Sequence, residues 1–308
     1  MRLLLYRSDG NTAPWARDLQ EALPGCEVVL WHSELDSACD YALVWGPPAE
    51  LLPQLAKVKA VFLAGAGVDA LLKFGDALPQ VPIVRLGDAG MGVQMAEYVL
   101  HAVLRHFRRF DEYENRAKDG VWAPLALEDK SAFSIGVMGT GALGKQVLAA
   151  LGHFGFPLRG WSRTKKRIDG VACFTGPEQL DAFLSGTRIL VCMLPLTVDT
   201  EGLLDRRLLE KLPRGAYLIN VARGALVAEP DLLALIRSGH IAGATLDVFR
   251  NEPLPSPHPF WGEPKIAITP HISALTVRSD SVRQIAHKIN ALERGEPVAD
   301  VVDRTLGY

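Results

Sequence analysis

Short apolar runs rich in β-branched and aromatic residues alternate with segments of helical period along the 308-residue chain. Leu3–Tyr6, Val28–Trp31, Tyr41–Trp45 and Lys59–Leu63 predict strands, with a helix opened by Pro14 after the first of them. From Met91 to Phe110 no Pro intervenes and no Gly follows Gly92, which predicts one long helix leading out of this first unit. A charged stretch, Asp111 to Lys130, then separates that helix from Ser134–Met138, where the alternation resumes. Further strands are predicted at Leu158–Trp161, Ile189–Met193, Tyr217–Val221, Ala244–Val248 and Lys265–Thr269, which together with Ser134–Met138 would make a six-stranded parallel sheet. The last helical pattern, Val277 to Arg294, has no strand after it and is expected to fold back onto the N-terminal unit.

The pattern predicts the α/β class, with two Rossmann-like or flavodoxin-like parallel-sheet domains and an active-site cleft between them. The expected division is residues 1–95 plus 277–308 for a discontinuous substrate-binding domain and 96–276 for the other. Composition narrows the partners. A formal net charge of -2 gives no drive toward nucleic acid or an anionic membrane surface. No apolar run is long enough to span a bilayer, and Arg7 and Asp9 break the N-terminus too early for a signal peptide. Cys26, Cys39, Cys173 and Cys192 form no C-x-x-C pair and have no His at metal-ligand spacing, so reduced thiols, a cytoplasmic location and no metal are expected.

Gly139, Thr140, Gly141, Ala142, Leu143 and Gly144 fit G-x-G-x-x-G, directly after an apolar strand and directly before a helical pattern. In that setting the glycines allow a tight turn, close approach of backbone to a pyrophosphate, and close helix packing, while the helix N-terminus offers N–H donors to the anion. The acidic residue that usually reads the ribose 2′-hydroxyl of NAD is missing from the end of the next strand. Instead the chain runs Ser162, Arg163, Thr164, Lys165, Lys166, Arg167. Arg163 can hold a 2′-phosphate bidentately, with Ser162 or Thr164 donating and Lys166 adding charge, which favours NADP(H) over NAD(H). A solvated basic turn is the competing reading.

Three further segments follow strands: Asn220–Gly224 (N-V-A-R-G), Asp247–Pro253 (D-V-F-R-N-E-P) and Thr269–Ser273 (T-P-H-I-S). Strand carboxyl ends border the ligand crevice of an open α/β sheet, so Arg223, Glu252 and His271 are expected to converge there. Hydride delivery to the carbonyl of a 2-oxo acid places negative charge on its oxygen. A cation to polarise it and an acid to protonate it are needed, and arginine and histidine supply them. A carboxylate beside the imidazole, here Glu252, would orient it and favour its protonated form. Taken singly, each of the three also fits a surface turn, a Pro-flanked loop or a packed histidine. His101, His106 and the remaining histidines have structural readings, and Glu97 is left outside the site.

In their order and context these motifs resemble the D-2-hydroxyacid dehydrogenase family, over nearly the whole chain. Trp161–Arg163, Glu252–Pro255, Gly295–Val298 and the C-terminal Asp303, Arg304, Gly307 and Tyr308 are most similar to its NADPH-preferring reductases of small 2-oxo acids. The resemblance implies reduction of glyoxylate and hydroxypyruvate, with Arg223 binding the 2-oxo acid, His271 donating the proton and Glu252 paired to it. It also implies that Asp247 and the backbone of Val221 lie near the nicotinamide and that Leu194 and Pro195 border the cofactor. In the N-terminal unit, Ala64–Asp69 matches a loop whose backbone at Ala66, Gly67 and Val68 grips the substrate carboxylate, although a simple strand-to-helix turn has the same composition. Trp45 resembles an aromatic that closes the substrate pocket, with core packing as its alternative. The family's homodimer contact would use the long helix near 91–110. Another 2-oxo acid substrate, or a dinucleotide-sensing protein without turnover, stays compatible with the residues alone; the intact Arg, Glu and His set weighs against the latter.

Overall fold

The computed structural model describes residues 1–33 and 38–307, so Tyr308 of the C-terminal match lies outside it. The chain separates into two compact units, Met1–Gly90 with Thr276–Tyr308, and Met91–Leu275. The first change of unit falls before the helix Met91–Phe107 and not within it, because this helix packs against the helix Ala142–His153 of the second unit.

The first unit is built on a parallel sheet of β1 (Arg2–Arg7), β2 (Glu27–Leu30), β3 (Tyr41–Trp45), β4 (Ala60–Leu63) and β5 (Ile83–Val84), in the order β2-β1-β3-β4-β5. Leu3, Leu4 and Leu5, and all of β4, are buried, as strands covered on both faces must be. β5 has only two residues, too few for a period to show, and was not among the predicted strands. Its free edge makes an antiparallel bridge from Val84 to Val301. The C-terminal helix Arg278–Glu293 belongs to this unit and packs against the helix Ala13–Ala22. Lys288, 6% exposed, fastens that helix to Asp300 (2.8 Å) and to the carbonyl of Arg85 (2.9 Å).

The second unit holds β6 (Ile135–Met138), β7 (Leu158–Ser162), β8 (Val171–Thr175), β9 (Ile189–Cys192), β10 (Ala216–Asn220), β11 (Ile241–Leu246) and β12 (Ile266–Ile268). They form a seven-stranded parallel sheet ordered β12-β11-β10-β9-β6-β7-β8. The expectation of six strands missed β8, an edge strand whose half-buried residues show no clean alternation. In β9 and β10 successive side chains divide between two cores: Leu190, Cys192 and Leu218 on one face, Ile189, Val191 and Ile219 on the other. The expected single helix to Phe110 is broken, since Arg109 adopts a left-handed φ of 57° and a second helix, Phe110–Lys118, starts inside the charged stretch. Among the described residues no helix is long and apolar enough to cross a membrane.

Candidate active site

The order of the second sheet decides which loops meet. From β6 the chain runs outward through β7 and β8, then crosses back to β9 and continues in the opposite direction to β12. Between β6 and β9 the direction reverses, and a crevice opens there at the strand carboxyl ends. In sheet order those ends carry residues 269–273, 247–252, 221–224, 193–195, 139–144 and 162–166, so motifs far apart in sequence form one continuous row.

At the switch point the glycine loop is tightly packed. Gly139 has φ 111°, and a Cβ there would lie 2.6 Å from the Met193 carbonyl oxygen, so the Met193–Pro195 loop rests directly on it. A Cβ at Gly144 would sit 2.1 Å from the Gly139 carbonyl, whereas one at Gly141, the N-cap of the helix Ala142–His153, would meet nothing within 4 Å. The helix N-terminus is therefore open at Gly141 and braced at its neighbours, the form an approaching pyrophosphate requires. Thr140 is 2% exposed and its Oγ1 has no hydrogen-bond partner among the described residues. One strand further out, Ser162 Oγ donates to the Thr164 carbonyl (2.8 Å), and Arg163, Thr164 and Lys166 are exposed. The donors present fit a dinucleotide with a 2′-phosphate. Val221 is buried and its N–H donates to the Cys192 carbonyl (3.3 Å).

Across the switch point, His271 Nδ1 lies 2.7 Å from Glu252 Oε2, while Glu252 Oε1 accepts the Phe249 N–H at 3.0 Å. The carboxylate is thus held at both oxygens, and Nε2 is the imidazole nitrogen that does not face it. His271 has φ 55°, a left-handed conformation that costs a non-glycine residue about 1–3 kcal/mol. Asp247 holds it there. The His271 N–H donates to the Asp247 carbonyl (2.9 Å), and the Ile272 and Ser273 N–H groups donate to its two carboxylate oxygens (2.8 Å each). Asp247, the expected neighbour of the nicotinamide, is fully buried with its carboxylate turned into this loop.

Arg223 leaves the end of β10, next to β11, half-buried, with Nη1 donating to the Ala222 carbonyl at 2.7 Å. Its loop is shaped by Asn220, fully buried, which accepts the Ala222 N–H (3.2 Å) and donates to the Arg223 carbonyl (3.0 Å). Gly224 joins the loops after β10 and β11, since a Cβ there would fall 1.8 Å from the carbonyl carbon of Phe249. Asn220 and Gly224 were visible in N-V-A-R-G, yet nothing in the spacing distinguished their work from that of Arg223.

In the first unit, Trp45 ends β3 and is 39% exposed, so it is not a core residue. Its ring covers Gly65, where a Cβ would lie 2.3 Å from the ring. Trp45 and the Ala64–Asp69 loop thus form one surface, with Val68 buried and Ala66 and Gly67 half-buried. Gly65 was not singled out in the sequence; its neighbour in β3 makes it necessary. Glu97 is exposed on the helix Met91–Phe107. His106 stacks on Tyr217 with ring centroids 4.0 Å apart, and burial pushes it down to about 4, in line with a structural role.

Residues 100–273 match the family model described as D-isomer specific 2-hydroxyacid dehydrogenase, NAD binding domain. A glyoxylate/hydroxypyruvate reductase A from Serratia proteamaculans is 48% identical, with both chains covered in full. Among solved structures, a D-isomer specific 2-hydroxyacid dehydrogenase from Xanthobacter autotrophicus in complex with NADPH and MES is 42% identical, with a TM-score of 0.95 over 100% of this chain and 99% of that one. An NADPH-dependent glyoxylate/hydroxypyruvate reductase from Sinorhizobium meliloti, in complex with NADP and sulfate, is 35% identical with a TM-score of 0.92 over 100% and 99%. With its sheet order, its glycine loop and its paired Glu252 and His271, this chain belongs to the D-isomer specific 2-hydroxyacid dehydrogenase family.

Proposed function

We propose that this protein is an NADPH-dependent reductase that converts glyoxylate to glycolate and hydroxypyruvate to glycerate. The observation that carries the reading is the Glu252–His271 pair, 2.7 Å apart, in a row of strand ends that also bears Arg223 and the glycine loop. A protein that only binds dinucleotide needs neither an oriented proton donor nor its carboxylate. NADPH, when bound, supplies the hydride. Residues 139–144 would hold its pyrophosphate, Ser162, Arg163, Thr164 and Lys166 its 2′-phosphate, and Leu194, Pro195, Val221 and Asp247 would border it. The full-length similarity to reductases of this name and to NADP complexes supports the choice of substrate and cofactor.

Arg223 polarises the substrate carbonyl and stabilises charge as it grows on the oxygen. His271 delivers its Nε2 proton to that oxygen, and Glu252 accepts a hydrogen bond from Nδ1–H that steadies the imidazolium before transfer. In the first unit the N–H groups of Ala66, Gly67 and Val68 grip the substrate carboxylate. Trp45, lying over Gly65, restricts the pocket to small acids, in keeping with its exposed ring.

The test is initial rates of cofactor oxidation, with NADPH and NADH in parallel, against glyoxylate, hydroxypyruvate, pyruvate and phenylpyruvate. Rapid NADPH oxidation with the first two substrates is expected. Tight dinucleotide binding without turnover on any acid would overturn the enzymatic reading. The same proposal makes the protein a cytoplasmic homodimer. The dimer is supported by exposed apolar residues on and after the helix Met91–Phe107: Val93 (59%), Trp122 (100%) and Leu127 (90%). Light scattering on the eluting protein is expected to give twice the chain mass.

A further inference from the structure

Behind the Glu252–His271 pair runs a hydrogen-bond chain made of three side chains of the second unit. It starts at Tyr98, on the helix Met91–Phe107, passes through the Thr269 hydroxyl and ends on the Asp247 carboxylate. The direction of each proton follows from the donor inventory. Thr269 Oγ1 donates its single hydroxyl proton to Asp247 Oδ1, at 2.6 Å. The Thr269 oxygen is left to accept, and the Tyr98 O–H is its donor. Burial pushes the Tyr98 phenol up to about 12, so it keeps its proton at working pH.

Asp247 has no exposed surface, and it is the common acceptor for the three successive N–H groups of His271, Ile272 and Ser273. His271 therefore sits in a turn tied to the Asp247 backbone carbonyl at its own N–H and to the buried Asp247 carboxylate at the next two, with its backbone in the left-handed region. Thr269 closes the turn from the strand side. Tyr98 fastens it to a helix and not to another loop of the crevice, so the turn is referred to the rigid scaffold of the second unit.

We propose that Tyr98, Thr269 and Asp247 form a positioning network that holds His271 in register for proton transfer, with Tyr98 and Thr269 acting only through His271. The proposal rests on the reading of His271 as the proton donor. Asp247 is tied into the turn too heavily to report on this alone, so the hydroxyls of Thr269 and Tyr98 are the groups to remove.

The experiment compares Thr269→Val, Thr269→Ser and Tyr98→Phe, in the full-length protein and again in a His271→Gln background. NADPH-dependent glyoxylate reduction, NADPH binding by fluorescence and thermal unfolding are measured on each. A displacement of order 1 Å at a reacting group can cost about 100-fold, so Thr269→Val is expected to lower kcat by about 10- to 100-fold. Its NADPH affinity should stay within about twofold of the parent, and Tyr98→Phe should show the same split with a smaller loss of about three- to tenfold. Thr269→Ser, which restores the hydroxyl, should recover most of kcat. In the His271→Gln background the same substitutions should cost nothing further, because residues that act through one group are not additive.

Unchanged kcat in Thr269→Val and Tyr98→Phe would overturn the network. So would a loss that appears as weaker NADPH binding, or one of equal size with and without His271. If Thr269→Val fails to fold, Tyr98→Phe with Thr269→Ser decides the matter by the same criteria. Failure of the underlying reading is distinct: His271→Gln alone would then keep near-parental turnover.

Discussion

The two ends of the row of strand loops are made differently. After β11 and β12 named hydrogen bonds hold the turn: Glu252 engages through both oxygens, two N–H groups meet the Asp247 carboxylate and a third its backbone carbonyl. After β7 the side chains of Arg163, Thr164 and Lys166 are exposed, as those of Glu252 and His271 are, and what differs is the set of backbone N–H donors gathered on Glu252 and Asp247. On the proposed function the first region would place one nitrogen in an orientation set before the substrate arrives, because misplacement by an ångström is costly. The second has to gather a dianionic phosphate, which long cationic side chains can do by adjusting to it. On that reading, a hydrogen-bonded turn goes with the proton-donating end and charge on long stems with the phosphate-recognising end.

The sharpest test of this contrast is Arg223→Ala, which removes the cation facing the carbonyl. It is expected to lower kcat/KM for glyoxylate by about 1,000-fold or more, measured by NADPH oxidation. Near-normal turnover would end the assignment. Glu252→Gln keeps the shape of the pair and removes its charge, so kcat should fall by about 10- to 100-fold with little change in NADPH affinity. A loss confined to KM would show that the held region binds and does not position. At the opposite end, Arg163→Ala removes a charge-assisted phosphate contact worth about 1.5–3 kcal/mol, and should raise the KM for NADPH by about 10- to 100-fold while leaving NADH kinetics alone. An equal effect on both cofactors would break the distinction between the two ends.

The smallest effect concerns the scaffold behind both regions and is read in stability. His106, stacked on Tyr217, is pushed down to about 4 by burial, so below its ordinary value of 6.5 the unfolded chain binds a proton that the folded one refuses. Stability rises with pH wherever the unfolded state holds more protons, so it is complete above pH 6.5 and declines as pH falls from there toward 4. Because His106 is partly exposed, the decline is expected to be about 1–3 kcal/mol. His106→Phe, which keeps an aromatic ring against Tyr217, should flatten this part of the curve in denaturant titrations at pH 4 and pH 7. An identical slope in the variant would place the acid sensitivity elsewhere.

Much of the site could be read along the chain because its chemistry is local. A glycine loop works only between a strand and a helix, and Ser162–Arg167 must stand at the following strand end; both signals are contiguous. Glu252 and His271 were legible as residue types after strands, and the structure joins them at 2.7 Å. The rest was hidden for physical reasons. β8 lies at an edge and β5 is two residues long, so neither leaves a period to read. Arg109 breaks a helix without Pro or Gly, through its own left-handed conformation. Gly65 and Gly224 are needed only because Trp45 and Phe249 arrive from other segments.

Residue order along the chain is enough to specify the class of the fold, the strand-loop-helix suited to a dinucleotide, and the kinds of side chain available for polarising and protonating a carbonyl. These depend on the order of residues over a few turns of chain. Only tertiary packing brings β10, β11 and β12 side by side, turns the Asp247 carboxylate onto the Ile272 and Ser273 N–H groups, and lets Tyr98 reach the turn of His271 through Thr269. Those facts are hydrogen bonds and contacts between residues up to 171 positions apart, and one-dimensional spacing carries no measure of such distances.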